Sequence, residues 1–148
     1  MTLEAFLAAF HIVAILTLVV FLSSQAALCR PEWMNAAVVQ RLARLDLIYG
    51  ITAGILLLTG IARVVWGAKG MGWYLSQPML HIKVTLFVLA ALLSIKPSIE
   101  FRRWLKAWKA DGSLPSETAV RAIRRWVMWQ AHLIPVIAVI AVFWARGW

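Results

Sequence analysis

The amino-acid sequence predicts an all-α integral membrane protein: a four-transmembrane-helix bundle with a short amphipathic cytoplasmic helix. Three observations carry this. The 148-residue chain is 63% hydrophobic and only 14% charged, whereas soluble domains are roughly half apolar. Its nine tryptophans suit bilayer interfaces, where an apolar ring with one N–H donor is at home. Apolar stretches near the length of about 20 residues that crosses a bilayer recur four times. They read as spans 5–28, 45–66, 78–95 and 122–146 of a single bundle, residues 1–148, with no separate soluble domain.

From Ala5 to Leu28 only His11 is ionisable, and Cys29-Arg30-Pro31-Glu32 ends the first span. Glu4 stands where a cleaved signal peptide would carry basic residues, so this segment is expected to stay as a helix. Trp33 to Asp46, with Arg41 and Arg44, reads as a short interfacial segment. The second span is apolar until Arg63, and Gly50 and Gly54 lie one helical turn apart, a spacing that lets helix backbones approach. Gly67, Lys69, Gly70, Gly72, Trp73 and Tyr74 read as an interfacial loop. No strand precedes these glycines, so they are not a phosphate loop.

Pro78 suits the first turn of the third span, where its missing N–H costs nothing. That span contains His81 and Lys83, and Lys96-Pro97 is expected to close it. From Ile99 to Lys109, Phe101, Trp104, Leu105 and Trp108 share one helical face and Arg102, Arg103, Lys106 and Lys109 the other. Such a pattern describes a helix lying on a membrane surface. Asp111-Gly112 makes a turn, Ser116 and Glu117 can start the last helix, and Pro135 is expected to kink it.

Charge sets the topology. The formal net charge is +9. Eight Lys/Arg lie in Lys96–Arg125 and three in Arg30–Arg44, against Arg63, Lys69, Lys83 and Arg146 on the other side. The positive-inside rule makes both basic loops cytoplasmic and both termini outside. The basic residues are then expected to meet anionic lipids at the cytoplasmic face, and no nucleic-acid partner is expected. Cys29 is the only cysteine, which excludes an intrachain disulfide framework and a thiolate metal site.

Ionisable residues inside lipid are costly and usually face a cavity or a partner. Here they are His11, Arg63, His81, Lys83 and His132. His11 and His81 fall on the outer side at comparable depth, with Arg63 and Lys69. Two histidines on facing helices can supply axial nitrogens to haem iron, and Arg63, Lys69 and Lys83 can pair with propionates. Phe10, Trp66 and Trp73 can pack on the porphyrin. Zinc is less suited, since this side offers two histidines and no thiolate. The competing readings are structural: His132 as a simple helix-bonding histidine, Lys83 snorkelling outward, and Arg63 anchoring headgroups.

Met79-Leu80-His81-Ile82-Lys83 resembles the Trp-Leu-His-Val-Lys motif of the HemJ-type protoporphyrinogen oxidases, small bacterial membrane proteins. Ala9-Phe10-His11-Ile12 is similar to their first-helix Ala-Leu-His-Val motif. The resemblance implies haem b held by His11 and His81, with Lys83 also important. Where HemJ proteins carry Asn-Glu-x-Pro in the last helix, this chain has Ala131-His132-Leu133-Ile134-Pro135. Arg44-Leu45-Asp46-Leu47-Ile48-Tyr49-Gly50, with Gly60-Ile61-Ala62-Arg63-Val64 and Lys69-Gly70, more closely resembles a bacterial family of four-helix membrane proteins of no assigned activity.

The expected function is therefore that of a haem b-binding protein of the bacterial inner (plasma) membrane, acting in electron transfer or in oxidation of a lipophilic small molecule such as a quinol or a porphyrinogen. The alternative is a non-enzymatic membrane assembly factor, or a small transporter or metal-handling subunit. Oligomeric state stays open, and a bundle this small can form a homodimer to shield a cofactor.

Overall fold

The computed structural model describes residues 2–67 and 69–145. Arg146, and with it the last residue of the expected fourth span, lies outside the described residues. Among the described residues all regular structure is helical: α1 (Thr2–Leu28), a 3-10 turn at Pro31–Trp33, α2 (Ala36–Val65), α3 (Met71–Leu75), α4 (Pro78–Asp111) and α5 (Glu117–Ala145). Four of these helices are long and apolar enough to cross a membrane. They run up and down in sequence; α1 packs on α2 and α5, and α4 closes the ring by packing on the same two.

Local chemistry explains most boundaries. Asn35 caps α2 by accepting the Val38 N–H at 3.0 Å, and Ser116 caps α5 by accepting the Ala119 N–H at 3.3 Å. Pro78 sits in the first turn of α4. Gly112 ends that helix with φ +74°, a left-handed residue whose N–H returns to the Trp108 carbonyl.

Two expected boundaries are absent. The segment 33–46 is not a separate interfacial piece, because α2 starts at Ala36 and continues into the second span. Nor is residues 99–109 a separate amphipathic helix on the bilayer surface, because α4 runs unbroken through Pro97 to Asp111. Both departures have one cause. Val38, Val39 and Leu42 on α2 pack with Phe101 and Trp104 on α4, with Val120, Ile123 and Val127 on α5, and with Cys29. The apolar face of 99–109 thus turns into the bundle rather than onto lipid. An interior proline costs a free helix about 3 kcal/mol. Here Pro97 is itself buried, and the packing of Phe101 one turn later holds the helix on course. α5 likewise runs through Pro135.

At about 1.5 Å per residue, the 30-residue α2 and the 34-residue α4 exceed the hydrocarbon thickness of about 30 Å. The bundle therefore has two unlike ends. At the basic end, the core is dense. Toward the opposite end, burial stops at Ala14 on α1, Thr52 on α2, Ala90 on α4 and Gln130 on α5. The asymmetry follows from the solvent. Apolar side chains beside water must be buried, whereas in lipid no such force drives helices together.

Candidate functional site

The open half of the bundle contains His11, and the packing around it is specific. His11 is half-buried, and its Nδ1 lies 2.9 Å from Thr59 Oγ1 on α2. The Thr59 hydroxyl has one proton, which it directs at the Ile55 and Leu56 carbonyls at 2.9 and 3.0 Å. With its proton on those carbonyls, Thr59 meets His11 with a lone pair, which assigns the tautomer in which Nδ1–H of His11 donates and Nε2 keeps its own lone pair. Gly60 follows Thr59 and seats the ring: a Cβ there would stand 3.4 Å from His11 Cε1.

Arg63 lies one turn beyond Thr59 on α2, and Lys83 lies on α4. The charges of both reach the His11 ring, and that of Arg63 reaches Lys83. The structure thus gathers His11, Thr59, Arg63 and Lys83 from three helices. Lys69 is placed differently, its Nζ 3.9 Å from the centre of the Trp73 ring, which stacks edge-on against Tyr74 at 5.1 Å. Gly67 makes this close approach possible, since a Cβ there would run into the Arg63 carbonyl and the Tyr74 ring.

His81 is exposed on the first turns of α4, and its Nε2 donates to the Leu75 carbonyl at 2.8 Å. That bond ties α4 back to α3, and among the described residues no hydrogen bond joins His81 to His11. His132 is exposed too and donates from Nδ1 to the Met128 carbonyl one turn earlier at 2.6 Å. Among the described residues no group of three or more His, Cys, Asp or Glu side chains comes together as a metal site would require. Gly50 and Gly54 take no part in packing inside the bundle, where an added Cβ at either meets nothing within 4 Å.

A second polar group lies deeper, beneath the open half, and most of its members are not ionisable. Asp46 on α2 is 4% exposed and accepts the Ser98 hydroxyl of α4 at 2.6 Å. Gln130 on α5 is 1% exposed, and its Nε2 donates to the Ala90 carbonyl at 3.1 Å and the Tyr49 hydroxyl at 3.4 Å. These bonds join α2, α4 and α5. Opposing His11 to Thr59 and Gly60 sets the antiparallel register of α1 on α2, which brings Gln25 to the depth of Asp46. Gln25 is 2% exposed, and its Nε2 has no hydrogen-bond partner among the described residues. The available signal was plain: Gln25 and Gln130 are amides inside long apolar runs.

At the basic end, Arg124 of α5 donates from Nη1 to the Ala26 and Cys29 carbonyls, both at 3.1 Å. It satisfies acceptors that the last turn of α1 leaves open and places a cation at the negative end of that helix.

No curated protein and no solved structure matches the chain. The likeness to the HemJ-type oxidases therefore rests on its short motifs alone. A family model described as a predicted membrane protein (DUF2214) matches residues 3–148, almost the whole chain. The chain belongs to this DUF2214 family of predicted membrane proteins.

Proposed function

We propose that this is a haem b-binding protein of the bacterial inner membrane that passes electrons between a lipophilic donor, such as a quinol or a porphyrinogen, and an acceptor. One observation carries the reading: His11, with Nδ1 anchored on Thr59 and Nε2 left as a lone pair, stands beside the cations Arg63 and Lys83 in the open half of the bundle. A histidine ligating through Nε2 commonly has its other ring nitrogen held by a hydrogen bond, which fixes tautomer and ring orientation. The His11 ring therefore suits the group, and His11 would be one residue holding its iron. His81 would be the second, through Nδ1 or by giving up its bond to Leu75. Arg63 and Lys83 would hold the propionates, and Lys69 would join them by leaving the Trp73 ring.

Haem b bound here would supply a one-electron iron couple at membrane depth, open to substrates that partition into lipid. The chain contributes position and charge. Thr59 and Gly60 fix the His11 ring, and Arg63 and Lys83 favour an anionic ligand in a low-dielectric setting. The basic loops would face the cytoplasm and anionic lipid, with both termini outside.

The test is an absorption spectrum of detergent-purified protein, oxidised and reduced, after expression with haem precursor. A Soret band is expected, with His11→Ala and His81→Ala each abolishing or shifting it. Absence of the band from the unaltered protein would sink the reading.

A further inference from the structure

The basic end carries a feature that the haem reading does not use. Arg30, Pro31 and Glu32 in the α1–α2 connection, with Arg121 and Arg124 of α5, line a surface groove of about 290 Å³. Three arginines and one carboxylate, Glu32, thus line one groove, and none of the three forms an ion pair with Glu32. Arg124 is fixed by its two bonds to the end of α1. Arg30 stacks over the ring of Trp33 at 5.0 Å, and Trp33 is 51% exposed. Arg121 is held at 3.1 Å by Glu117 in an exposed pair, an interaction weak enough to yield to a better anion.

Position narrows the anion. The groove opens where the chain leaves α1, a helix long and apolar enough to cross a membrane that ends at Leu28. This is headgroup depth, and an exposed tryptophan beside an arginine is characteristic of that layer. Guanidinium groups match phosphate with paired N–H donors.

We propose that this groove binds the phosphate of an anionic glycerophospholipid headgroup. Arg30 and Arg121 close on the phosphate from two elements, and Arg124 forms the fixed floor. The bound lipid ties the α1–α2 connection to α5.

The test measures affinity of the detergent-purified protein for fluorescently labelled phosphatidylglycerol. Arg30→Gln/Arg121→Gln is expected to weaken binding about thirtyfold, or ~2 kcal/mol at 1.4 kcal/mol per tenfold, since each basic residue near a headgroup surface contributes on the order of 1 kcal/mol. Arg103→Gln/Lys106→Gln removes equal charge from the exposed face of α4 and should leave the affinity within about twofold. Arg124 is left intact because it also caps α1, and thermal unfolding of both variants checks that the bundle persists. Equal weakening by the two variants would show attraction by net charge alone and overturn the site. Displacement of the lipid by millimolar inorganic phosphate would assign the groove to a soluble anion and overturn the lipid assignment.

Discussion

The His11–Thr59 pair admits a sharp test, because ligand support and helix gluing predict different results. Thr59→Val keeps the shape of the side chain and removes the lone pair that receives His11 Nδ1–H at 2.9 Å. Gly60 still seats the ring. If the hydrogen bond only joins helices, its loss costs about 0.6 kcal/mol, the usual size of such bonds in a membrane bundle, and nothing else changes. If it holds a ligating imidazole, the loss reaches the iron. Removing the partner of a metal-bound histidine weakens metal affinity by roughly 10–100-fold, or about 1.4–2.8 kcal/mol. The assay is titration of purified apo-protein with haem, read at the Soret band, beside thermal unfolding of the apo-protein. Thr59→Val should lose most of its haem affinity at nearly unchanged stability, and Thr59→Ser should restore it. Unchanged haem affinity in Thr59→Val would refute the ligand-support argument.

Two further predictions concern the rest of the bundle. Gln130→Leu removes the amide that bonds the Ala90 carbonyl and leaves the buried Tyr49 hydroxyl without that partner, and should destabilise by about 1–3 kcal/mol, read as an earlier unfolding midpoint in a denaturing-detergent titration. Cys29 lies beyond the end of α1 and is 0% exposed; burial pushes its thiol up to about 11, with the Arg124 charge opposing. Burial disfavours the thiolate, so a maleimide at about pH 8.5, where a free cysteine is half ionised, should leave folded protein unlabelled and label it after denaturation.

How much of this was legible in the sequence depends on the solvent each segment faces. The four spans stand out because lipid demands apolar residues whatever their partners, so hydropathy finds them without knowing the packing. The ends of α2 and α4 are hidden for the opposite reason. Arg41, Arg44, Arg102 and Arg103 interrupt the hydropathy, although Val39, Leu42, Phe101 and Trp104 beside them continue the core past the apolar spans. A proline at 97 then looks like a stop, since its helix-breaking cost is local and the packing that offsets it is not. At the site, His11, Arg63 and Lys83 were visible as misfits in lipid. Thr59 was not, because a threonine in a membrane helix can always satisfy its hydroxyl on its own backbone, and only the opposing histidine gives it a role. The commitment of His81 Nε2 to Leu75 was equally invisible, because it depends on the path of α3.

Gln25 brings these strands together. Its Nε2 is buried and has no partner among the described residues, at the depth where Asp46 meets Ser98 and close below the Tyr49–Gln130 pair. An amide donor left unpaired in an apolar setting costs about 1–3 kcal/mol. Gln25→Met has nearly the same length and no donor, so a bundle in which Gln25 is merely tolerated should become more stable by about that amount, read as a later unfolding midpoint. Apolar packing on Leu22 and Leu18 of the same face would absorb the thioether. A loss of stability would reverse the argument. It would mean that the amide bonds something at the depth of Asp46, and that the polar layer linking α2, α4 and α5 extends to α1. The sign of one substitution thus decides whether this layer is a three-helix clasp or closes around the whole bundle beneath the His11 site.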